Sequence, residues 1–317
     1  MSEPHYRLVD QGDRRVLSVD GRDYVTGYSE RVIRMLIERK GVRRTPPYFS
    51  YKAVRGPLFL GPLFHYLRRR GVMGLRTLEV GCSFGHMTEY LHEQPEVVEL
   101  ATFDTDPAFV AITRAKVEEF GLKKVCEVAL LASEATRRLP YPSERFDLVV
   151  VCGVVEHLPA RLRRAQVDEY YRVLASGGHI TILDTPNRWF PLETHSVGLP
   201  LVQWLPPGMA FAYARTCRPW KFRRETYEGF TMDGTGWHNA SLRDCLPSSG
   251  WASLEDVTEE AGYGWRFFRD TARSRTRRAL LPLFAGGAAL LRGAGLPPSL
   301  CLPYLNLLFR KTTRLTP

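Results

Sequence analysis

The chain lacks the cysteine patterns that hold metals or disulfides. Its six cysteines are scattered along 317 residues, and no two of them form a Cys-x-x-Cys pair. We therefore expect neither a zinc site nor a disulfide framework, and this cysteine usage fits a reducing cytoplasm. The first fifteen residues contain no apolar run, so no signal peptide is expected.

Long hydrophobic runs are also missing. The apolar stretch 279–291 is too short to span a bilayer. A basic lead-in precedes it, made of Arg269, Arg273, Arg275, Arg277 and Arg278. Two interpretations stay open: a peripheral membrane contact on the inner face of a membrane, and a hydrophobic lid or homodimer contact.

Acidic residues are fewer than basic ones, 34 against 44, which gives a net charge of +10. Such an excess attracts anions such as nucleic acid, phospholipid headgroups or a phosphorylated substrate. An arginine-rich overall composition accounts for the same charge equally well. Because no element interleaves arginines with aromatic residues, nucleic acid is the less favoured partner.

The stretch from Thr77 to Leu91, TLEVGCSFGHMTEYL, organises the rest of the chain. It predicts a strand, a glycine turn containing Gly81 and Gly85, and a helix, which together open a nucleotide-binding βα unit. The spacing is Gly-x-x-x-Gly, with Glu79 two residues before the first glycine. A dinucleotide site needs Gly-x-Gly-x-x-Gly, so this pattern argues against NAD.

A second acid, Asp104, follows the next apolar run, VVELATF. A carboxylate at the end of the second strand is placed to accept hydrogen bonds from both hydroxyls of a ribose. The two acids and the two glycines therefore predict a site for a nucleoside-containing cofactor.

Strands alternate with helices through 73–185, which predicts a doubly wound α/β sheet. We expect a strand at 125–131, a buried strand at 146–151, and a strand at 179–183 after a helix that Ser176-Gly177-Gly178 terminates. Upstream, the patterns predict a hairpin at 16–24 and helices at 29–40, 57–70 and 107–120.

These motifs resemble the class I S-adenosylmethionine-dependent methyltransferases. Their first motif is an acid followed by Gly-x-x-x-Gly, and the pieces LPYPSERFDLVV, VVEHLP, YYRVLASGG and TPNR stand here in the order and spacing of that family. The resemblance resumes at 241–260, which looks like the last helix and sixth strand of the family, and at 306–312, its seventh strand. It covers about half of the chain.

The resemblance implies a Rossmann-like, seven-stranded α/β sheet with five parallel strands and a C-terminal antiparallel pair. Residues 1–72 would form an N-terminal extension and 73–317 the methyltransferase domain. Two segments depart from the family pattern. We expect 189–239 to be the acceptor-binding cap and 262–304 to be an apolar insertion.

The resemblance also assigns the cofactor contacts to positions that match the family motifs. Glu79, Gly81 and Gly85 match the first motif, Asp104 matches the ribose-binding acid, and the backbone of Cys152 would face the methionine part. The other expected contacts are Cys82 and Ser83 in the loop, Thr105 beside the ribose, and Ser133, Glu134 and Ala135 around the adenine.

An acceptor oxygen or nitrogen loses a proton during methyl transfer, so a base beside it helps. The candidate bases are His157, His195 and His238, because histidine titrates near neutrality. Some relatives carry Glu-x-x-Glu-His and bind a divalent metal there. Here Gly153 replaces the first Glu and removes one oxygen ligand, so no metal is expected and activity should survive a chelator.

We therefore expect a cytoplasmic enzyme that methylates a small organic or lipid-like acceptor, on oxygen. Three alternatives stay open: an RNA methyltransferase, a nucleotide-cofactor oxidoreductase, and a non-catalytic cofactor-binding protein. The missing pyrophosphate glycine pattern argues against the second, and the intact Glu79, Gly81, Gly85 and Asp104 argue against the third.

Overall fold

The computed structural model describes residues 6–272 and 274–312, without the side chain of Thr276. The chain divides into two compact units, of which the first ends at Ser133 and the second begins at Glu134. Its strands form a three-stranded sheet and a seven-stranded sheet.

The strands, in chain order, are β1 (Tyr6–Asp10), β2 (Arg15–Val19), β3 (Arg22–Thr26), β4 (Leu75–Val80), β5 (Val97–Asp104), β6 (Val125–Leu130), β7 (Phe146–Cys152), β8 (Leu174–Pro186), β9 (Leu254–Asp256) and β10 (Tyr304–Lys311). The α-helices are α1 (Glu30–Lys40), α2 (Tyr51–Arg69), α3 (His86–Glu93), α4 (Pro107–Glu119), α5 (Ala160–Val173), α6 (Pro207–Cys217), α7 (Pro219–Phe222), α8 (Tyr227–Thr231), α9 (Trp265–Asp270) and α10 (Arg275–Gly293). Short 3-10 helices cover Val42–Arg44, Pro46–Phe49, Ala135–Arg137, Val155–His157, Val202–Trp204, Leu242–Cys245, Gly250–Ser253 and Pro298–Cys301.

The larger sheet has the strand order β6-β5-β4-β7-β8-β10-β9. β4, β5 and β6 pair in parallel, as do β7 and β8, whereas β10 is antiparallel to both β8 and β9. The residues from Leu148 to Val151 on β7 are fully buried, as a parallel strand covered on both faces requires. The predicted fold class, a doubly wound and mostly parallel seven-stranded α/β sheet with a C-terminal antiparallel pair, is confirmed.

The predicted N-terminal hairpin is also present. β2 and β3 pair around Asp20 and Gly21, whose φ angles are 49° and 77°. A two-residue turn with positive φ at both positions matches the right-handed twist of the strands, and glycine and aspartate tolerate it. β1 adds a third strand that the sequence patterns did not predict.

Two predicted helix boundaries are wrong. Residues 241–260 contain no α-helix, because the 3-10 helix capped by Ser241 and Asp244 ends at Cys245, just before Pro247. Ser176-Gly177-Gly178 does not terminate α5 either. β8 starts at Leu174, and the glycines lie inside that strand, where its pairing with β7 shifts register and Gly177 has φ 82°.

The segment predicted as a cap, 189–239, carries α6, α7 and α8 around an apolar cluster of its own. The buried members of that cluster are Val197, Leu199, Val202, Ala210, Ala214, Phe222, Phe230 and Trp237. The segment predicted as an apolar insertion carries α9 and α10. Within 6–272 and 274–312, no helix combines the length and the hydropathy that crossing a membrane requires.

Candidate functional site

The loop between β4 and α3 has the backbone shape that its glycines allow. Gly81, Ser83 and Gly85 all have positive φ, at 78°, 48° and 74°. Gly85 is the residue before α3, and a Cβ added there would lie 3.3 Å from the Cα of Thr113. This position therefore has neither the backbone conformation nor the space for a side chain.

Asp104 lies at the end of β5 and is fixed by the backbone around it. Its Oδ2 accepts a hydrogen bond from the Ser83 N–H at 2.9 Å, and its Oδ1 accepts one from the Asp106 N–H at 3.0 Å. Burial raises the pKa of Asp104, while these backbone hydrogen bonds lower it. The half-buried carboxylate is thus tied to the glycine loop, with exposed Thr105 next to it.

Glu79 lies on β4, two residues before Gly81, and is only 3% exposed. It accepts a hydrogen bond from the Thr88 hydroxyl of α3 at 2.6 Å. Burial raises the pKa of Glu79 to about 8, and the hydrogen bonds of Thr88 and Thr102 oppose that shift. The carboxyl is therefore mostly protonated at neutral pH, and it links β4 to α3.

The side chain of Cys82 points away from the loop surface. It is 1% exposed and packs with Val110 and Val128, while its backbone N–H donates to the carbonyl of Phe103 at 3.0 Å. Because the side chain is buried, the predicted contact of Cys82 would have to be made by its backbone.

The remaining predicted cofactor contacts are divided between the two units. Ser133 ends the first unit, and Glu134 and Ala135 begin the second. Glu134 is exposed and forms an ion pair with Arg161. Cys152 is the last residue of β7, half-buried and in register with Leu183 of β8.

His157 lies in the short 3-10 helix that follows β7, and the structure brings His195 of the cap beside it. The centroids of the two rings are 4.9 Å apart. His157 Nδ1 lies 2.6 Å from the carbonyl oxygen of Gly234, which accepts a hydrogen bond and therefore fixes the proton on Nδ1. Nε2 of His157 then carries a lone pair, and it lies 3.9 Å from Oε1 of buried Glu156.

Both rings of this pair are neutral at pH 7. Desolvation of the ring and, to a smaller extent, the neighbouring His157 lower the pKa of His195 to about 4, although part of the side chain reaches solvent. Burial also lowers the pKa of His157, against a raising effect of the Gly234 hydrogen bond.

His238 makes a different ring contact. Its ring stacks on the adjacent Trp237 with centroids 3.5 Å apart, and burial lowers its pKa to about 4. Among the described residues, the structure thus pairs two of the three predicted bases and gives the third a different ring partner.

The proximity of His157 and His195 was not predicted from the sequence. His195 is held by Glu193, which is fully buried and whose carboxylate accepts four backbone N–H groups, those of His195, Ser196, Val197 and Gly198. A carboxylate that accepts four successive backbone N–H groups fixes the backbone of His195. The only sequence signal was the histidine content of the cap.

Residues 78–182 match a family model described as a methyltransferase domain. A demethylmenaquinone methyltransferase of Thermus thermophilus is 33% identical over 111 residues, which cover 35% of this chain and 47% of that protein. The chain therefore matches about half the length of this curated relative.

Two solved structures are similar at low identity. The YcgJ protein of Bacillus subtilis is 15% identical, with 80% of this chain and 99% of that chain covered and a TM-score of 0.44. An S-adenosylmethionine-dependent methyltransferase of Aquifex aeolicus is 21% identical, with 52% and 81% covered and a TM-score of 0.36.

The family match begins inside β4 and ends inside β8, so it includes the glycine loop, Asp104 and all five parallel strands in full or in part. The matched residues are thus those that form the glycine loop and the parallel strands described above. Residues 78–182 therefore carry a methyltransferase domain, in agreement with the class I S-adenosylmethionine-dependent methyltransferases that the sequence motifs resemble.

Proposed function

We propose that this chain transfers the methyl group of S-adenosylmethionine to an oxygen atom of a small organic or lipid-like acceptor. The proposed cofactor site rests on the hydrogen bond from the Ser83 N–H to Asp104. It fixes an acid of the second strand against the glycine loop, where a ribose would meet both.

The proposed cofactor contacts follow from that arrangement. Asp104 would accept hydrogen bonds from the ribose hydroxyls, and the backbone of the loop from Gly81 to Gly85 would approach the rest of the cofactor closely. Glu79, buried on β4 and hydrogen-bonded to Thr88 of α3, would support the strand and the helix on either side of the loop. Thr105, Ser133, Glu134, Ala135 and Cys152 remain proposed contacts on the strength of the family motifs.

The proposed chemical class of the methyl acceptor rests on the segment predicted as a cap. We propose that 189–239 is the acceptor-binding segment, within a methyltransferase domain at 73–317 that follows an extension at 1–72. The cap exposes large apolar side chains, namely Trp189, Leu192, Leu201, Trp204, Met209, Trp220, Tyr227 and Met232. Such a surface suits an apolar acceptor better than a nucleic acid, and a relative named for a demethylmenaquinone fits the same class.

Methyl transfer to oxygen requires that the acceptor lose a proton, and we propose that one of His157, His195 and His238 assists this step. The lowered pKa values keep all three rings neutral near pH 7, as a proton acceptor must be. Alignment of the acceptor with the methyl group would contribute more than the base, because the reaction is an in-line displacement.

A surface of the insertion supports a peripheral membrane contact. On α10 the exposed fractions are 42% for Leu280, 72% for Leu283 and 78% for Leu290. The helix contains no acidic residue, and Arg275, Arg277 and Arg278 lie in its first turn, where the helix dipole is already positive. We propose that an anionic membrane surface covers this face, with a second copy of the chain as the competing occupant. Arg273, also part of the predicted basic cluster, lies outside the described residues.

The test of the proposed reaction uses S-adenosylmethionine with a labelled methyl group and an extract of cellular metabolites and lipids. The proposal predicts label in organic-extractable products, reduced in the Asp104→Ala variant when S-adenosylmethionine is limiting. Label in RNA alone would establish the RNA alternative, and no label in any fraction would favour a protein that binds the cofactor without turnover.

A further inference from the structure

We propose that Glu156, His157 and His195 bind a divalent transition-metal ion. One ligand atom of each residue lies within 4.8 Å of the others. Around an ion with bonds of about 2.1 Å, tetrahedral ligand atoms are about 3.4 Å apart. Small rotations of the side chains would therefore close the three atoms around one ion.

The hydrogen bond of His157 fixes the tautomer that a metal ligand requires. Nδ1–H donates to the carbonyl of Gly234 at 2.6 Å, so the lone pair is on Nε2, 3.9 Å from Glu156 Oε1. Metal-bound histidines usually donate their other ring N–H to a carbonyl or a carboxylate, which fixes the tautomer and the ring orientation. The ring thus already has the proton arrangement that a ligand needs.

The second histidine is held by an equally specific contact. Gly236, with φ 74°, lies so close to both rings that an added Cβ would be 3.1 Å from Nε2 of His195 and 3.2 Å from Cε1 of His157. Glu193 fixes the backbone of His195 through its N–H groups. The glycine therefore leaves the space in which the two imidazoles meet.

The donor set selects the class of ion. Two imidazole nitrogens and one carboxylate oxygen suit zinc, iron, cobalt or manganese, whereas magnesium and calcium prefer oxygen ligands alone. Glu156 is buried but His195 is exposed, so positions on the ion would remain open. If the proposed methyl transfer is correct, an ion with open positions would hold an acceptor oxygen and lower its pKa.

This inference departs from the expectation of metal independence. Metal independence was expected because Gly153 supplies no oxygen ligand. His195 is 38 residues further along the sequence than His157, so the local motif gives no sign that it lies beside that ring. With an ion bound, the two histidines would act as ligands and His238 would be the remaining candidate base.

The test titrates Zn²⁺, and separately Co²⁺, into tag-free, metal-stripped, full-length protein by calorimetry. We expect one ion per chain and visible absorption bands for bound Co²⁺, with Mg²⁺ binding far more weakly. His195→Ala and His157→Ala should each weaken Zn²⁺ binding by about tenfold or more. Because His195 is exposed, its replacement should leave the fold intact, which circular dichroism would check.

His238→Ala is the matched control, since it removes a partly buried histidine of the same unit outside the cluster. Its affinity for Zn²⁺ should equal that of the wild type. No Zn²⁺ or Co²⁺ binding by the wild type, or equal affinity in the His195→Ala variant, would overturn the proposal. Neither result depends on S-adenosylmethionine or an acceptor, so the proposed methyl transfer would be unaffected.

Discussion

Among the single residues of the site, Asp104 can combine a structural role with a binding role. Both of its carboxylate oxygens already accept a backbone N–H, from Ser83 and Asp106. Each oxygen has a further lone pair, so the same carboxylate that shapes the loop can also accept hydrogen bonds from a ribose.

We predict that Asp104→Ala weakens S-adenosylmethionine binding by about 1–3 kcal/mol, the cost of losing charge-assisted hydrogen bonds. Calorimetric titration measures it, and Asp13→Ala, an exposed aspartate of the same unit, is the control. If the affinity is unchanged in a folded Asp104→Ala protein, Asp104 is not the ribose ligand.

Glu79 predicts an unusual pH dependence of stability. Its pKa is about 8 in the folded chain against 4.5 for an ordinary glutamate, so the folded state keeps a proton that the unfolded state loses between these values. This difference in protonation stabilises the folded chain fully below pH 4.5. The stabilisation decreases as the pH rises from 4.5, by at most about 1.4 kcal/mol per pH unit, and is lost once the pH has passed 8.

Glu79→Gln should remove this dependence. Denaturant unfolding of the cofactor-free protein from pH 5 to pH 9 should show the wild type losing stability relative to the variant as the pH rises. Parallel curves for the two proteins would mean that Glu79 ionises normally in the folded state.

At the scale of elements, local patterns were predictable and distant contacts were not. The strand, glycine turn and helix from Thr77 to Leu91 were predicted because a buried strand, a positive-φ turn and a helix start each leave a local signature. The glycines of β8 were misassigned as a helix stop, because a glycine inside a bulged strand looks the same in sequence. The pairing of His157 with His195 depends on how Glu193 folds the cap, which no local pattern encodes.

The glycine loop gives an element-scale prediction. Gly85→Ala would place a side chain at φ 74° and 3.3 Å from the Thr113 backbone, so it should lower stability by about 1 kcal/mol or more and weaken cofactor binding. Thermal unfolding and calorimetry measure the two effects.

Gly286→Ala is the contrasting variant. Gly286 is an exposed residue within α10, has no positive φ, and an added Cβ would meet nothing within 4 Å. Alanine is the better helix former there, so this variant should be as stable as the wild type or up to about 1 kcal/mol more stable. Equal losses in both variants would show that the loop geometry is not what Gly85 provides.

For the whole molecule, the exposed face of α10 predicts selective binding to anionic vesicles. Co-sedimentation should occur with anionic but not neutral vesicles and should weaken with salt. Reversing the charge of the two exposed arginines, Arg275 and Arg278, should cost at least about 2 kcal/mol. Arg277 is a poorer choice because it packs 5.5 Å from the ring of Phe268.

The matched control reverses Arg137 and Arg138, two exposed arginines of the same unit away from α10, and should leave vesicle binding unchanged. Leu283→Ser and Leu290→Ser should also reduce vesicle binding. If the protein instead forms a dimer that these leucine variants dissociate, and no vesicle sediments it, a second copy covers the face.

The most direct test of the central claim compares two cofactors on one protein. The loop spacing and Asp104 predict that calorimetric titration detects binding of S-adenosylmethionine and no binding of NAD, since the loop lacks the glycine pattern of a pyrophosphate site. Binding of NAD without binding of S-adenosylmethionine would contradict the methyltransferase account and support the oxidoreductase alternative.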